Sequence, residues 1–217
     1  MKILLSLLLT FAGTGTDTLP AREWNSSASS PLLLFITGDA GFGKFSTELC
    51  DNIHAAGYQV CAINAKAYFW NKKTPEQTSA DITAYLEKQF SRRNNQQLIL
   101  AGYSFGADVM PFIVNRLPNN TRKKLVSLIL ISPSTSTDFE IHLSDMLGGN
   151  KKRSMDVVAE INKLNVPRTV TIFGSDEKDF PVSAVKLEKY TNESLPGGHH
   201  FNGDAPQVAR TLLKYFK

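Results

Sequence analysis

Residues 98–112 read LILAGYSFGADVMPF. The apolar run Leu98–Ala101 stops at Gly102, Ser104 follows, and Gly106 comes two residues later. This is the pattern G-x-S-x-G, which belongs to a very tight turn from strand to helix. In such a turn the serine adopts a strained backbone conformation that lifts its hydroxyl clear. The flanking positions must be small, because a side chain there would strike neighbouring backbone. The helix that begins beneath the serine also aims its N–H groups and positive dipole end at the same point. The bare pattern is common. It gains meaning here by following an apolar strand and opening a helical segment, Ala107 to Arg116. Ser104 is therefore the candidate nucleophile. Pro111 lies in an early turn of that helix, where the helix can bend.

Outward from this turn the chain alternates. Continuous apolar runs occur at PLLLFIT (31–37), YQVCAIN (58–64), QLILAGY (97–103), LVSLILIS (125–132) and RTVTIFG (168–174). Runs of this kind fit strands buried on both faces of a parallel sheet. Helical segments lie between them, at 45–56, 75–90 and 107–116, and a last one covers 206–215. The second of these opens with Thr74 as N-cap, Pro75 at the first helical position and Gln77 three residues after the cap. Such alternation predicts right-handed βαβ units and an α/β fold: a mostly parallel sheet covered by helices on both faces.

Composition agrees with a globular protein. At 217 residues, 42% hydrophobic and 20% charged, the chain can build one sizeable core and is not disordered or fibrous. The formal charge is +4. The clusters Arg122–Lys124 and Lys151–Arg153 are candidates for peripheral contact with an anionic membrane surface. No basic stripe with interleaved aromatics is present, which argues against nucleic acid as a partner.

A serine hydroxyl needs a base, most often a histidine held by a carboxylate. There are four histidines. His54 lies in the first helix, far upstream of the serine. His142 follows TDFE after the fourth strand, where a pocket-lining role fits. His199 and His200 lie in PGGHHFNG, before the last helix. In α/β-hydrolases the order along the chain is serine, acid, histidine, so the base belongs in this last loop. Because it precedes Phe201 and a nearby glycine, His200 is the expected base, with His199 the alternative that shapes the loop. The histidine pair has no further ligands at metal-site spacing, so no metal and no cofactor is expected. The acid is expected after the strand RTVTIFG, where Asp176, Glu177 and Asp179 compete. Counting three residues on from Gly174, with Pro181 beyond, selects Glu177, and Asp179 and Asp176 are its alternatives. The oxyanion formed on attack needs donors. Candidates are the backbone N–H of Phe105 and that of Asp39 in Thr37-Gly38-Asp39-Ala40-Gly41, a loop without the Lys-Ser/Thr ending of a phosphate-binding loop.

The first residues, MKILLSLLLTFAGTG, have a positive start, an apolar stretch and small residues after it. This is the layout of a secretory signal peptide. Residues 1–15 are accordingly expected to direct export, leaving 16–217 as a single domain. In an oxidising compartment Cys50, on a helix, and Cys61, on the strand that follows, could bond or remain buried free thiols; both readings stay open.

The stretches FITGDAGF, NAKAYFWNKKTPEQTSAD, GYSFGADVMPFIVNRLP, SPSTSTDFEIHLSDMLG, FGSDEKD and LPGGHHFNGD together resemble the bacterial virulence proteins of the VirJ/AcvB type. Relatives read G-D-G-G-W where this chain has Gly38-Asp39-Ala40-Gly41-Phe42. The resemblance implies an α/β-hydrolase fold with a minimal lid and a periplasmic serine esterase. The implied reaction is cleavage of the aminoacyl ester of lysyl-phosphatidylglycerol or a related lipid ester. A general esterase on small-molecule esters is the alternative within that class. It also implies links to type IV secretion components, so a non-catalytic binding factor for exported proteins is the alternative outside it. A cationic aminoacyl group would favour nearby carboxylates, and Asp39, Asp138 and Glu140 lie on the right loops; Asp138 and Glu140, with His142, are the candidate substrate-binding residues.

Overall fold

The structure, a computed structural model, describes residues 19–26, 29–142 and 152–217. The signal-peptide expectation falls outside the described residues, as does Lys151 of the second basic cluster.

Among the described residues seven strands form the main sheet: β1 (Ala21–Trp24), β2 (Leu32–Ile36), β3 (Gln59–Ile63), β4 (Leu98–Tyr103), β5 (Leu125–Ile131), β8 (Thr169–Gly174) and β9 (Tyr190–Leu195). A separate two-stranded ribbon pairs β6 (Ser136–Thr137) with β7 (Met155–Asp156). The order across the main sheet is β1-β3-β2-β4-β5-β8-β9. All neighbours in it are parallel except β1, which runs antiparallel to β3 at the edge.

The five apolar runs are β2, β3, β4, β5 and β8, and β2, β3, β4 and β8 are buried at every position. The two edge strands were not legible as strands, because each exposes much of its length. AREW and YTNESL carry charged and polar side chains where the sheet meets solvent.

The helices are α1 (Lys44–Ala55), α2 (Ala65–Tyr68), α3 (Pro75–Phe90), α4 (Phe105–Arg116), α5 (Asn119–Arg122), α6 (Val157–Ile161) and α7 (Ala205–Leu213). The side chains of β2 alternate between two apolar layers. Leu33 and Phe35 join Leu49 and Ile53 of α1 and Val208 and Leu212 of α7. Leu32, Leu34 and Ile36 join Ile82 and Leu86 of α3, Met110 and Ile113 of α4, and Ile161 of α6. Helices thus cover both faces. α3 starts where its sequence predicts, with the Thr74 hydroxyl accepting from the Gln77 N–H at 3.1 Å. Pro111 sits inside α4, which runs from Phe105 to Arg116 as one helix.

The same alternation settles the cysteines. Cys50, on α1, packs in one layer, whereas Cys61, on β3, points into the other. Both are buried free thiols. Burial raises both thiol pKa values, that of Cys61 up to about 11.

Candidate active site

The parallel strands deliver their loops to one end of the sheet, where sites gather in open α/β folds. At the end of β4 the backbone of Ser104 has φ 52° and ψ −121°, a conformation rare outside glycine. The two glycines of the motif explain how it is tolerated. A Cβ on Gly102 would meet the carbonyl oxygen of Gly106 at under 3.0 Å. One on Gly106 would strike the carbonyl of Ile36 just as hard. Strand, turn and helix are therefore in backbone contact, and the serine is forced outward.

The Ser104 hydroxyl lies 2.9 Å from Nε2 of His199. Nδ1 of the same ring lies 2.8 Å from Oε1 of Glu177. An ionised carboxylate only accepts, so Nδ1 carries the proton and Nε2 is left to accept from the serine. The other oxygen of Glu177 accepts from the Ser132 hydroxyl and from the Gly174 N–H, each at 2.7 Å. Burial works against the charge on Glu177. The hydrogen bonds from His199, Ser132 and Gly174 outweigh it and hold the carboxyl below its ordinary value.

The expectation of His200 is corrected here: His199 is the histidine that reaches Ser104. A Cβ on Gly174 would overlap the carbonyls of Gly197 and Gly198, so this loop lies directly on the end of β8. That seat carries His199 over the serine. His200 faces elsewhere, with Nδ1 2.7 Å from the Tyr103 hydroxyl. Of the three competing carboxylates, only Glu177 bonds the imidazole. Asp176 and Asp179 are exposed, and Asp176 accepts from the hydroxyl of Ser175 beside it.

Ser104 opens into a pocket of about 900 Å³. Phe105 is the first residue of α4, where backbone N–H groups have no partner within the helix, and Gly38 and Asp39 line the pocket beside it. Phe105 and Asp39, the residues of the two expected oxyanion donors, thus line the same pocket as the serine. Glu140 and His142 also line the pocket. Asp138 does not: its carboxylate meets His142 Nε2 at 2.7 Å and lies 3.7 Å from Arg153, turned to these side chains rather than to the pocket lining expected of it. Lys44, Lys152 and Arg153 bring positive charge to the same pocket.

Sequence reasoning passed over Tyr103, Ser132 and Asp108. Tyr103 occupies a variable place in the serine motif, a position that could have drawn attention to it. Ser132 has φ 48° and turns its hydroxyl toward Glu177. Asp108, buried in the first turn of α4, accepts from the Ser134 N–H at 2.5 Å and so ties the helix behind the serine to the pocket wall. Among the described residues no group of three or more His, Cys, Asp or Glu is placed to hold a metal ion.

The family model described as bacterial virulence protein (VirJ) matches residues 31–217. The chain belongs to the VirJ family. No curated protein matches it. Among solved structures, the VirJ chain is similar to a lipase-esterase related protein from Clostridium acetobutylicum. That match has 15% identity and a TM-score of 0.66, over 91% of this chain and 99% of that one. It is also similar to the thioesterase domain from the curacin biosynthetic pathway, at 18% identity and a TM-score of 0.59, over 89% and 94% of the two chains. Est1E from Butyrivibrio proteoclasticus matches at 15% identity and a TM-score of 0.62, over 90% and 93%. These likenesses establish the α/β-hydrolase fold for this VirJ protein.

Proposed function

We propose that this VirJ protein is a serine carboxylic-ester hydrolase of the periplasm. Its substrate is the aminoacyl ester of lysyl-phosphatidylglycerol or a related lipid ester. One observation carries the chemistry: the continuous hydrogen-bonded chain from Ser104 through His199 to Glu177. In this reading Ser104 Oγ attacks the ester carbonyl while His199 Nε2 takes its proton. Glu177 holds the ring in the required tautomer and stabilises the imidazolium. The N–H groups of Phe105 and Asp39 receive the oxyanion; one such donor is typically worth about 3 kcal/mol. His199 returns the proton to the departing alcohol, and water, activated by the same ring, releases the acyl group.

The substrate class rests on the family resemblance and on the mixed charge of the pocket. Asp39 and Glu140 suit a cationic aminoacyl group, and Lys44 and Lys152 suit a phosphate. The test is fluorophosphonate labelling of the purified protein, read by intact mass, followed by hydrolysis of lysyl-phosphatidylglycerol in detergent. A single adduct that disappears in Ser104→Ala, with lysine released by the parent alone, supports the reading. A folded parent that takes no adduct overturns it in favour of a binding factor.

A further inference from the structure

Asn64–Thr74 reads NAKAYFWNKKT, with three lysines and no acidic residue. Its three aromatics divide sharply. Tyr68 and Phe69 are buried, while Trp70 is 51% exposed and is the large hydrophobic side chain left in solvent among the described residues. The indole is not on a loose loop. α2 is capped by Asn64, whose side chain accepts from the Ala67 N–H at 3.2 Å. After it, the Ile141 N–H donates to the Phe69 carbonyl at 2.9 Å and the Lys73 N–H to the Phe139 carbonyl at 3.0 Å. Trp70 is held between these two bonds.

The mount is also well placed. Phe69 packs edge-on against Phe105, the residue after the serine, with ring centroids 5.1 Å apart. Ile141, bonded to Phe69, lines the pocket. The segment follows β3 and so lies at the same end of the sheet as Ser104. In the same segment as Trp70, Lys66 and Lys72 are exposed, and Lys73 lies over the Tyr68 ring at 5.1 Å. Lys44 and Lys152 bring positive charge to the pocket itself.

An exposed indole that shares one short segment with two exposed lysines suits the boundary between acyl chains and anionic headgroups. We propose that Trp70, with Lys66 and Lys72, docks the protein on an anionic lipid bilayer, seating the pocket mouth against the lipid. This rests on the reading of the substrate as a lipid ester and adds where that lipid is met. The basic cluster at Arg122–Lys124 does not serve the same end. Lys123 and Lys124 precede β5 and border a groove with Arg168 and Lys217 at the opposite end of the sheet, so a membrane there would face away from Ser104.

The experiment is co-sedimentation with vesicles of phosphatidylglycerol and phosphatidylcholine in equal parts, against phosphatidylcholine alone. It compares the parent, Trp70→Ala and the double variant Lys66→Glu with Lys72→Glu. All carry the same N-terminus, so differences report this surface. Turnover of a soluble p-nitrophenyl ester checks that each variant is folded. The expected result is parent binding to the anionic vesicles that weakens with salt, reduced at least tenfold in both variants with soluble-ester turnover within twofold of the parent. Trp24 is buried, so a blue shift of tryptophan emission on binding reports Trp70. A parent that hydrolyses the soluble ester but ignores anionic vesicles, or a Trp70→Ala protein that binds them as the parent does, overturns the docking site and leaves the esterase intact. A protein that docks through Trp70 but takes no fluorophosphonate upholds the docking site and removes the esterase.

Discussion

The hydroxyl of Tyr103 lies 2.7 Å from Nδ1 of His200 and donates to the carbonyl of His199 at 3.1 Å. One phenol therefore grips both histidines of a loop 96 and 97 residues further along the chain. Its ring also packs against the His199 imidazole, with centroids 5.5 Å apart. Burial, with the charges of Glu177 and Asp39, raises the phenol pKa, so it stays protonated and able to donate. Tyr103→Phe keeps the ring and removes the grip. We expect kcat on a soluble ester to fall about tenfold with KM nearly unchanged, as a loosened general base would produce. Steady-state kinetics decide, and an unchanged kcat would show that the phenol positions nothing.

The two histidines should part company on replacement. His199→Ala removes the base and is expected to lower kcat by about 10³-fold or more. His200→Ala leaves the Ser104–His199–Glu177 chain whole and should lower it by less than about tenfold. Equal losses in the two variants would return His200 to contention.

Glu177→Gln tests the tautomer. A glutamine can present its NH2 to Nδ1 and favour the wrong ring form, so a loss of about 10³- to 10⁴-fold in kcat is expected with the fold retained. The native carboxyl is held below its ordinary value, so the stability it adds is present above the usual glutamate range and is lost as pH falls through the lowered value. The melting temperature of Glu177→Gln should therefore approach that of the parent on the acid side. A gap that stays constant down to low pH would refute this.

Asp108 runs the other way. Burial pushes its carboxyl up to about 7, against the pull of the Ser134 hydrogen bonds and of His199. The native state then binds the proton more tightly than the unfolded chain, and stability falls as pH rises from about 4 to about 7, by up to about 4 kcal/mol. Asp108→Asn keeps an oxygen for the Ser134 N–H and cannot ionise. Its melting temperature should gain on the parent between about pH 4 and about pH 7 and level off above that, and a gap independent of pH in thermal unfolding would refute the assignment.

Gly106→Ala should not fold well. The added Cβ meets the carbonyls of Ile36 and Thr37, which belong to the end of a buried strand and cannot yield cheaply. A loss of about 3 kcal/mol or more in chemical denaturation is expected. A variant as stable as the parent would mean that the turn rearranges.

What could be read in advance follows from where the information sits. The five central strands are legible because burial on both faces leaves an unbroken apolar run. β1 and β9 are not, because half of an edge strand answers to solvent. Glu177 could be reached by counting from Gly174, since the turn between them is local: its N–H returns to the Gly174 carbonyl at 3.0 Å. The choice between two adjacent histidines could not. It is made by β8, on which the Gly197–Gly198 backbone rests, and by Tyr103, both distant from the histidines in sequence. The place of Asp138 outside the pocket lining was not legible either: Arg153, one of its two partners, comes from a separate segment brought beside it by loop packing.

The two buried thiols flank a sheet they cannot reach across. Since no oxidant is needed to complete the fold, each sulfur is free to act as a clock for its own layer. A thiol reagent meets Cys50 only after α1 or α7 lifts away, and Cys61 only after the α3 side opens. The ratio of their labelling rates under mild denaturant reports which side of the molecule peels first.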